Sequence, residues 1–222
     1  MITGSALVVD YILTIAVSVA SGVDAIVSFM PDLLPYKLSL KLIIVVLLVI
    51  LNMRGVKESV VLLTPIFATF VITHIILIFY AVFGHLGELP VMLNDTVRET
   101  HSAIQTQGFF AILFILMRAF SLGGGTFTGI EAVSNGMQIL REPRVQTAKR
   151  TMFYMSVSLA LCAGGILIGY LLMGVQPVAN KTLNAVLIEK VAAAWQWQGL
   201  PVGWMFVLIT LLSEGLILFV AA

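Results

Sequence analysis

Ser121-Leu-Gly-Gly-Gly-Thr-Phe-Thr-Gly-Ile-Glu-Ala-Val-Ser-Asn135 lies inside an apolar run that extends over 109–137. That run is longer than the about 20 residues a simple bilayer crossing takes. Gly123, Gly124, Gly125 and Gly129 weaken a helix at this place, so the stretch reads as one crossing helix with a break near 123–129. A break at membrane depth frees N–H and C=O groups that lipid cannot satisfy, and it survives only where it lines a cavity or packs against protein. Free carbonyls and hydroxyls there suit a cation, and the N-terminus of the second half-helix suits a carboxylate. Glu131, close to the break, is placed to take up and release a proton; the competing reading is a Gly-rich packing face with Glu131 paired to Arg118.

Outward from this stretch the chain divides into further apolar runs. Residues 5–29 are closed by Pro31 and Pro35, which cannot continue a helix; 38–53 and 60–83 follow, then 151–174 and 202–222 after the broken run. Together with 109–137 these make about six expected spans. Residues 84–107, with two histidines, three acids, Arg98 and Pro90, read as an aqueous loop with room for a short surface helix. Residues 183–195 look amphipathic but are too few to cross, which suits a surface or re-entrant helix. Trp195, Trp197 and Trp204 fit an interfacial belt.

Composition agrees. Hydrophobic residues make up 60% of the 222 and charged residues 10%, with a mean hydropathy of +1.08. An ordinary soluble domain carries about 25% charged residues, so a soluble enzyme, a secreted disulfide scaffold and a disordered tail are excluded. At a net charge of +1 the whole-molecule field favours neither nucleic acid nor an acidic partner. The placement of charge is more informative. Loops 52–59 and 138–150 hold Arg54, Lys57, Arg141, Arg144, Lys149 and Arg150, whereas the longer remaining loops share Lys37, Lys41, Arg98, Lys181 and Lys190. The denser positive charge puts the first two in the cytoplasm and sends the first helix outward. Cys162, within an apolar run, reads as packing. The first run has no basic leader and no small-residue cleavage site, which speaks against a signal peptide. The apolar end Phe219-Val-Ala-Ala222 lacks an interfacial anchor, so the chain reads as a truncated fragment.

An ionisable group inside a span is a functional candidate by default. Asp10, Arg118, Glu131 and Glu214 qualify, although Asp10 and Glu214 also suit positions near an interface, and Ser213 and Gly215 beside Glu214 suit plain helix packing. Asp10, Thr14, Ser18 and Ser21 share one helical stripe, either as interhelical hydrogen-bonding glue or as a site. His74 stands alone in its span and reads as a hydrogen-bonded packing residue.

Leu7-Val-Val-Asp-Tyr-Ile-Leu-Thr-Ile-Ala-Val-Ser18, Leu51-Asn-Met-Arg-Gly-Val-Lys-Glu-Ser59 and Thr128-Gly-Ile-Glu-Ala-Val-Ser-Asn-Gly136 with Glu142-Pro143 resemble the amino acid-polyamine-organocation (APC) superfamily of transporters. The last string resembles in particular its proton-coupled potassium importers. The resemblance implies an all-α integral membrane protein with a LeuT-like inverted repeat, of which the chain holds the third to eighth helices, the sixth being the broken one. It implies ion-binding roles for Thr14, Ser18, Thr128 and Glu131 as potassium ligands, with Glu131 also coupling protons. It further implies, as partners, a small solute or ion, protons, the lipid bilayer and the missing N- and C-terminal helices of the parent chain, with homodimerisation left open and no nucleic acid or cofactor. Gly123-Gly-Gly125 and Glu214 depart from the family's pattern. An APC-type permease gripping an amino acid carboxylate at the same break is the alternative.

An enzyme would need a nucleophile with its base or a metal cluster, yet His85 and His101 have no ligand-spaced partners and no catalytic signature string occurs. A channel would need a continuous pore. The expected function is therefore secondary active transport by alternating access in the plasma membrane. Asn94-Asp-Thr96 and Asn180-Lys-Thr182 match the glycosylation pattern.

Overall fold

The computed structural model describes residues 2–53, 57–123, 130, 133–134, 136–193, 195 and 202–221. Every described element is helical: α1 (Ile2–Phe29), α2 (Lys37–Met53), α3 (Lys57–Phe83), α4 (Leu89–Gln107), α5 (Phe109–Gly123), α6 (Arg144–Leu172), α7 (Leu183–Ala193) and α8 (Val202–Ala221), with 3-10 turns at Pro31–Tyr36, Leu86–Glu88 and Met137–Ile139. Four stretches are long and apolar enough to cross a membrane: Gly4–Phe29, Pro31–Ile50, Thr64–Phe83 and Arg144–Leu172. A bent pair, Leu86–Gln107 with Phe109–Gly123, brings the number to five if it counts as one span, and Val202–Leu218 is a shorter apolar helix. This is an all-α membrane protein.

The chain forms two compact units, Met1–Gly84 with Gly169–Ala222, and His85–Ile168. In the first, α8 runs antiparallel to the second half of α1: Phe29 meets Trp204 with ring centroids 5.7 Å apart, and Gly215 meets Gly22 and Ile26 eleven residues further along α8. A Cβ on Gly215 would lie 2.9 Å from the Ile26 side chain and 3.2 Å from the Gly22 carbonyl, so this crossing depends on small residues, as membrane helix contacts commonly do. Val19, Val23, Ala25 and Val27 of α1 are buried here, while Val8, Val9, Ile12 and Leu13 in its first half are exposed. α3 joins through Leu77 and Ala81, both fully buried. Tyr80 reaches Trp195 edge-on at 5.4 Å, and Trp195 in turn packs against Phe206 at 4.7 Å. Trp195 is thus a packing residue between helices as well as a belt candidate, while Trp204 stays exposed.

Two expectations change. Residues 84–107 are a helix for most of their length, because Pro90 sits in the first turn of α4, where its missing N–H has no partner to lose. Of the two readings of 183–195, surface or re-entrant, the surface one does not hold. Ala185, Val186, Leu187, Ile188, Val191 and Ala192 of α7 are all buried, in contact with α1, α3 and α8, because its apolar residues cover most of its circumference.

In the second unit α4 buries none of its residues, and α5 none either. The two meet at Gly108, whose φ of +90° is a conformation L side chains rarely adopt, and their axes differ by 119°.

Candidate functional site

Of the expected ion ligands, Thr14 and Ser18 lie on one stripe of α1, half-buried, with Ile15, Ala16 and Val17 between them exposed. Ser21 continues the stripe, also half-buried, while Asp10 at its start is exposed. Thr128 and Glu131, together with Gly124, Gly125 and Gly129, lie outside the described residues. Gly123 is the last residue of α5, and Arg118 is exposed on that helix. The structure therefore describes half of the expected cluster, Thr14 and Ser18, on one helix. Among the described residues no group of three or more His, Cys, Asp or Glu side chains is placed to hold a metal ion.

The densest polar chemistry is elsewhere in the first unit. Glu214 on α8 is 8% exposed, and its Oε1 accepts a hydrogen bond from Asn184 Nδ2 at 2.7 Å. The Asn184 Oδ1 accepts from the Tyr170 hydroxyl. One chain of hydrogen bonds thus ties the end of α6 to the start of α7 and the middle of α8. Lipid offers such groups no partner, so they find one another. Asn184 is held in place by the local fold around it. Thr182 Oγ1 accepts from the Ala185 N–H at 3.1 Å and caps α7, and the Thr182 N–H donates to Ser28 Oγ at 3.0 Å. The Ser28 hydroxyl in turn donates to the Asp24 carbonyl at 2.6 Å.

Ion pairs frame this core. The Asp24 carboxylate takes Lys37 Nζ at 3.0 Å and Lys41 Nζ at 3.1 Å, which fastens α1 to α2 across the turn at Pro31–Tyr36. Lys181 Nζ meets both Glu189 oxygens at 2.6 Å, and Lys190 Nζ donates to the Met173 and Gly174 carbonyls at 2.8 Å, closing the end of α6. His74 is buried in α3 with its Nδ1 2.9 Å from the Phe70 carbonyl, a packing role.

Sequence reasoning missed Asp24, Tyr170 and Asn184. Asp24 had a signal, since it is a charge inside an apolar run with lysines just beyond the next turn. Tyr170 and Asn184 had only their polar tips in apolar surroundings. Glu214 was singled out, and its packing reading changes: Gly215 does the close packing, while the Glu214 carboxyl ends a hydrogen-bonded chain.

No protein-family model matches the chain. It is 34% identical over 184 residues to the potassium transporter KimA of Bacillus subtilis (strain 168), a similarity that covers 82% of this chain and 29% of that protein. The similarity bears out the resemblance to the APC superfamily. The chain spans less than a third of the length of the relative it matches.

Proposed function

Because this chain is related to potassium transporters of the APC superfamily and is part of a multi-pass plasma-membrane protein, we propose that it is a segment of a proton-coupled symporter importing potassium by alternating access. The similarity over most of the chain to a transporter of that ion carries the reading. In this proposal Thr14 and Ser18 of α1 supply hydroxyl oxygens to the ion, and Thr128 and Glu131 complete the ligand set. The half-buried stripe on α1 supports it, since a hydroxyl that is neither sunk in the core nor fully exposed is available to a further element. Hydroxyls with one carboxylate suit a bare monovalent cation better than an amino acid, whose carboxylate would ask for unspent N–H groups instead. Glu131 exchanges the coupled proton. The helices that complete the LeuT-like repeat come from the rest of the parent chain, and the activity is that of the whole protein.

The test is uptake of labelled rubidium, and in parallel of mixed labelled amino acids, by proteoliposomes of the full-length protein with and without an inward proton gradient. Gradient-driven rubidium uptake that Glu131→Gln uncouples is the expected result. Amino acid uptake without rubidium would replace the cation site by a carboxylate grip at the break.

A further inference from the structure

Glu214 is the end of a hydrogen-bonded chain whose direction is fixed by its chemistry. An amide N–H can only donate and an amide oxygen can only accept, so Asn184 donates a hydrogen bond to Glu214 and accepts one from the Tyr170 hydroxyl. Glu214 is the terminal acceptor. Its second oxygen, Oε2, is buried without a hydrogen-bond partner among the described residues. So is the hydroxyl of Thr210, which is fully buried one turn earlier on the same face of α8. Two buried oxygens that nothing engages are costly, and they are unusual enough to ask what they bind.

An alkali cation needs a shell of several oxygens in place of its water. The buried side chains of α7, from Ala185 to Ile188 with Val191 and Ala192, contribute none. A proton needs only one oxygen to carry it, and Glu214 Oε2 is buried with no hydrogen-bond partner among the described residues.

We propose that Glu214 is a second proton-binding carboxyl of this protein, separate from Glu131, and that the Tyr170–Asn184–Glu214 chain couples its proton to the seating of α7. With the proton on Oε2, Asn184 remains bound to Oε1; with the proton released to water, both carboxylate oxygens are acceptors and compete for the amide N–H groups of Asn184, so the hold on the start of α7 changes. Of the other titratable groups on the packed elements, Asp24 of α1 is held by Lys37 and Lys41, Glu189 of α7 by Lys181, and Lys190 by two carbonyls; His74 of α3 bonds the Phe70 carbonyl through Nδ1, while its Nε2 is buried without a hydrogen-bond partner among the described residues. Tyr170 faces Glu214 through Asn184. The proposal goes beyond the transport reading and does not depend on it.

The experiment is infrared difference spectroscopy of the full-length protein in liposomes as pH is stepped across the neutral range, for wild type, Glu131→Gln and Glu214→Gln. A carbonyl stretch of a neutral carboxylic acid that appears on acidification, shifts in heavy water, persists in Glu131→Gln and is lost in Glu214→Gln is expected. Glu214→Asp, which keeps a carboxyl, should retain the band with a shifted midpoint and guards against misfolding of the glutamine variant. Hydrogen exchange of peptide 183–193 should vary with pH in wild type and lose that dependence in Glu214→Gln. Bands identical in wild type and Glu214→Gln, or α7 exchange that is the same in both at every pH, would overturn the proposal. Rubidium uptake by the same liposomes reports on the transport reading separately, since its failure leaves the band and the exchange unchanged.

Discussion

α4 and α7 both connect apolar helices, and neither crosses a membrane by itself, yet one buries nothing and the other buries most of its length. Length does not explain this, because the exposed helix is the longer: 19 residues against 11. The polar load differs. Asp95, Arg98 and Glu99 sit in the middle of α4 at helical spacing on one face, with Asn94 and Thr96 beside them, and leave one apolar stripe of Leu93, Val97 and Ile104 on the other. α7 confines its charges to Glu189 and Lys190, adjacent residues on one edge, and both are engaged, with Lys181 and with the end of α6. The rest of α7 is free to sink between α1, α3 and α8.

The largest test of this contrast is to remove the same side chain from each helix. Leu187→Ala in α7, where the leucine is fully buried and would contact a Cβ built on Gly169, should destabilise the folded protein by about 2–4 kcal/mol. Leu93→Ala in the exposed α4 should change it by less than about 0.5 kcal/mol, both measured as the shift in detergent-induced unfolding. Equal effects would break the comparison. Thr182→Ala removes the cap that starts α7 and should cost about 1 kcal/mol, seen as faster hydrogen exchange over 183–187. Smallest is the Asp95–Arg98 pair, 3.8 Å apart and open to solvent: Asp95→Ala should leave the thermal midpoint unchanged within about 1 °C.

The apolar helices were legible because a bilayer demands a long run without charge, and α1 ends where Pro31 closes its run. Pro90 misled for a definable reason, since a proline forbids a helix only after its first turn. α7 misled because its few polar residues suggest an amphipathic helix, whereas apolar residues cover most of its circumference and are buried by its neighbours. The stripe of Thr14 and Ser18 could be read from a spacing of four. The chain Tyr170–Asn184–Glu214 could not, since its links join residues 14 and 30 positions apart and exist only once three helices are packed. Asp24 and its lysines lie between these cases: each charge is visible, but the pairing waits on the turn that brings α2 back along α1.

The corner at Gly108 has a mechanical consequence. Gly108 donates its N–H to the Ile104 carbonyl and its own carbonyl accepts from Ile112, so one residue both ends α4 and begins α5 and leaves no slack between them. Their axes stand 119° apart about that one residue, so a rotation of the Gly108 backbone swings one whole helix against the other, as a crank turns one arm with the other.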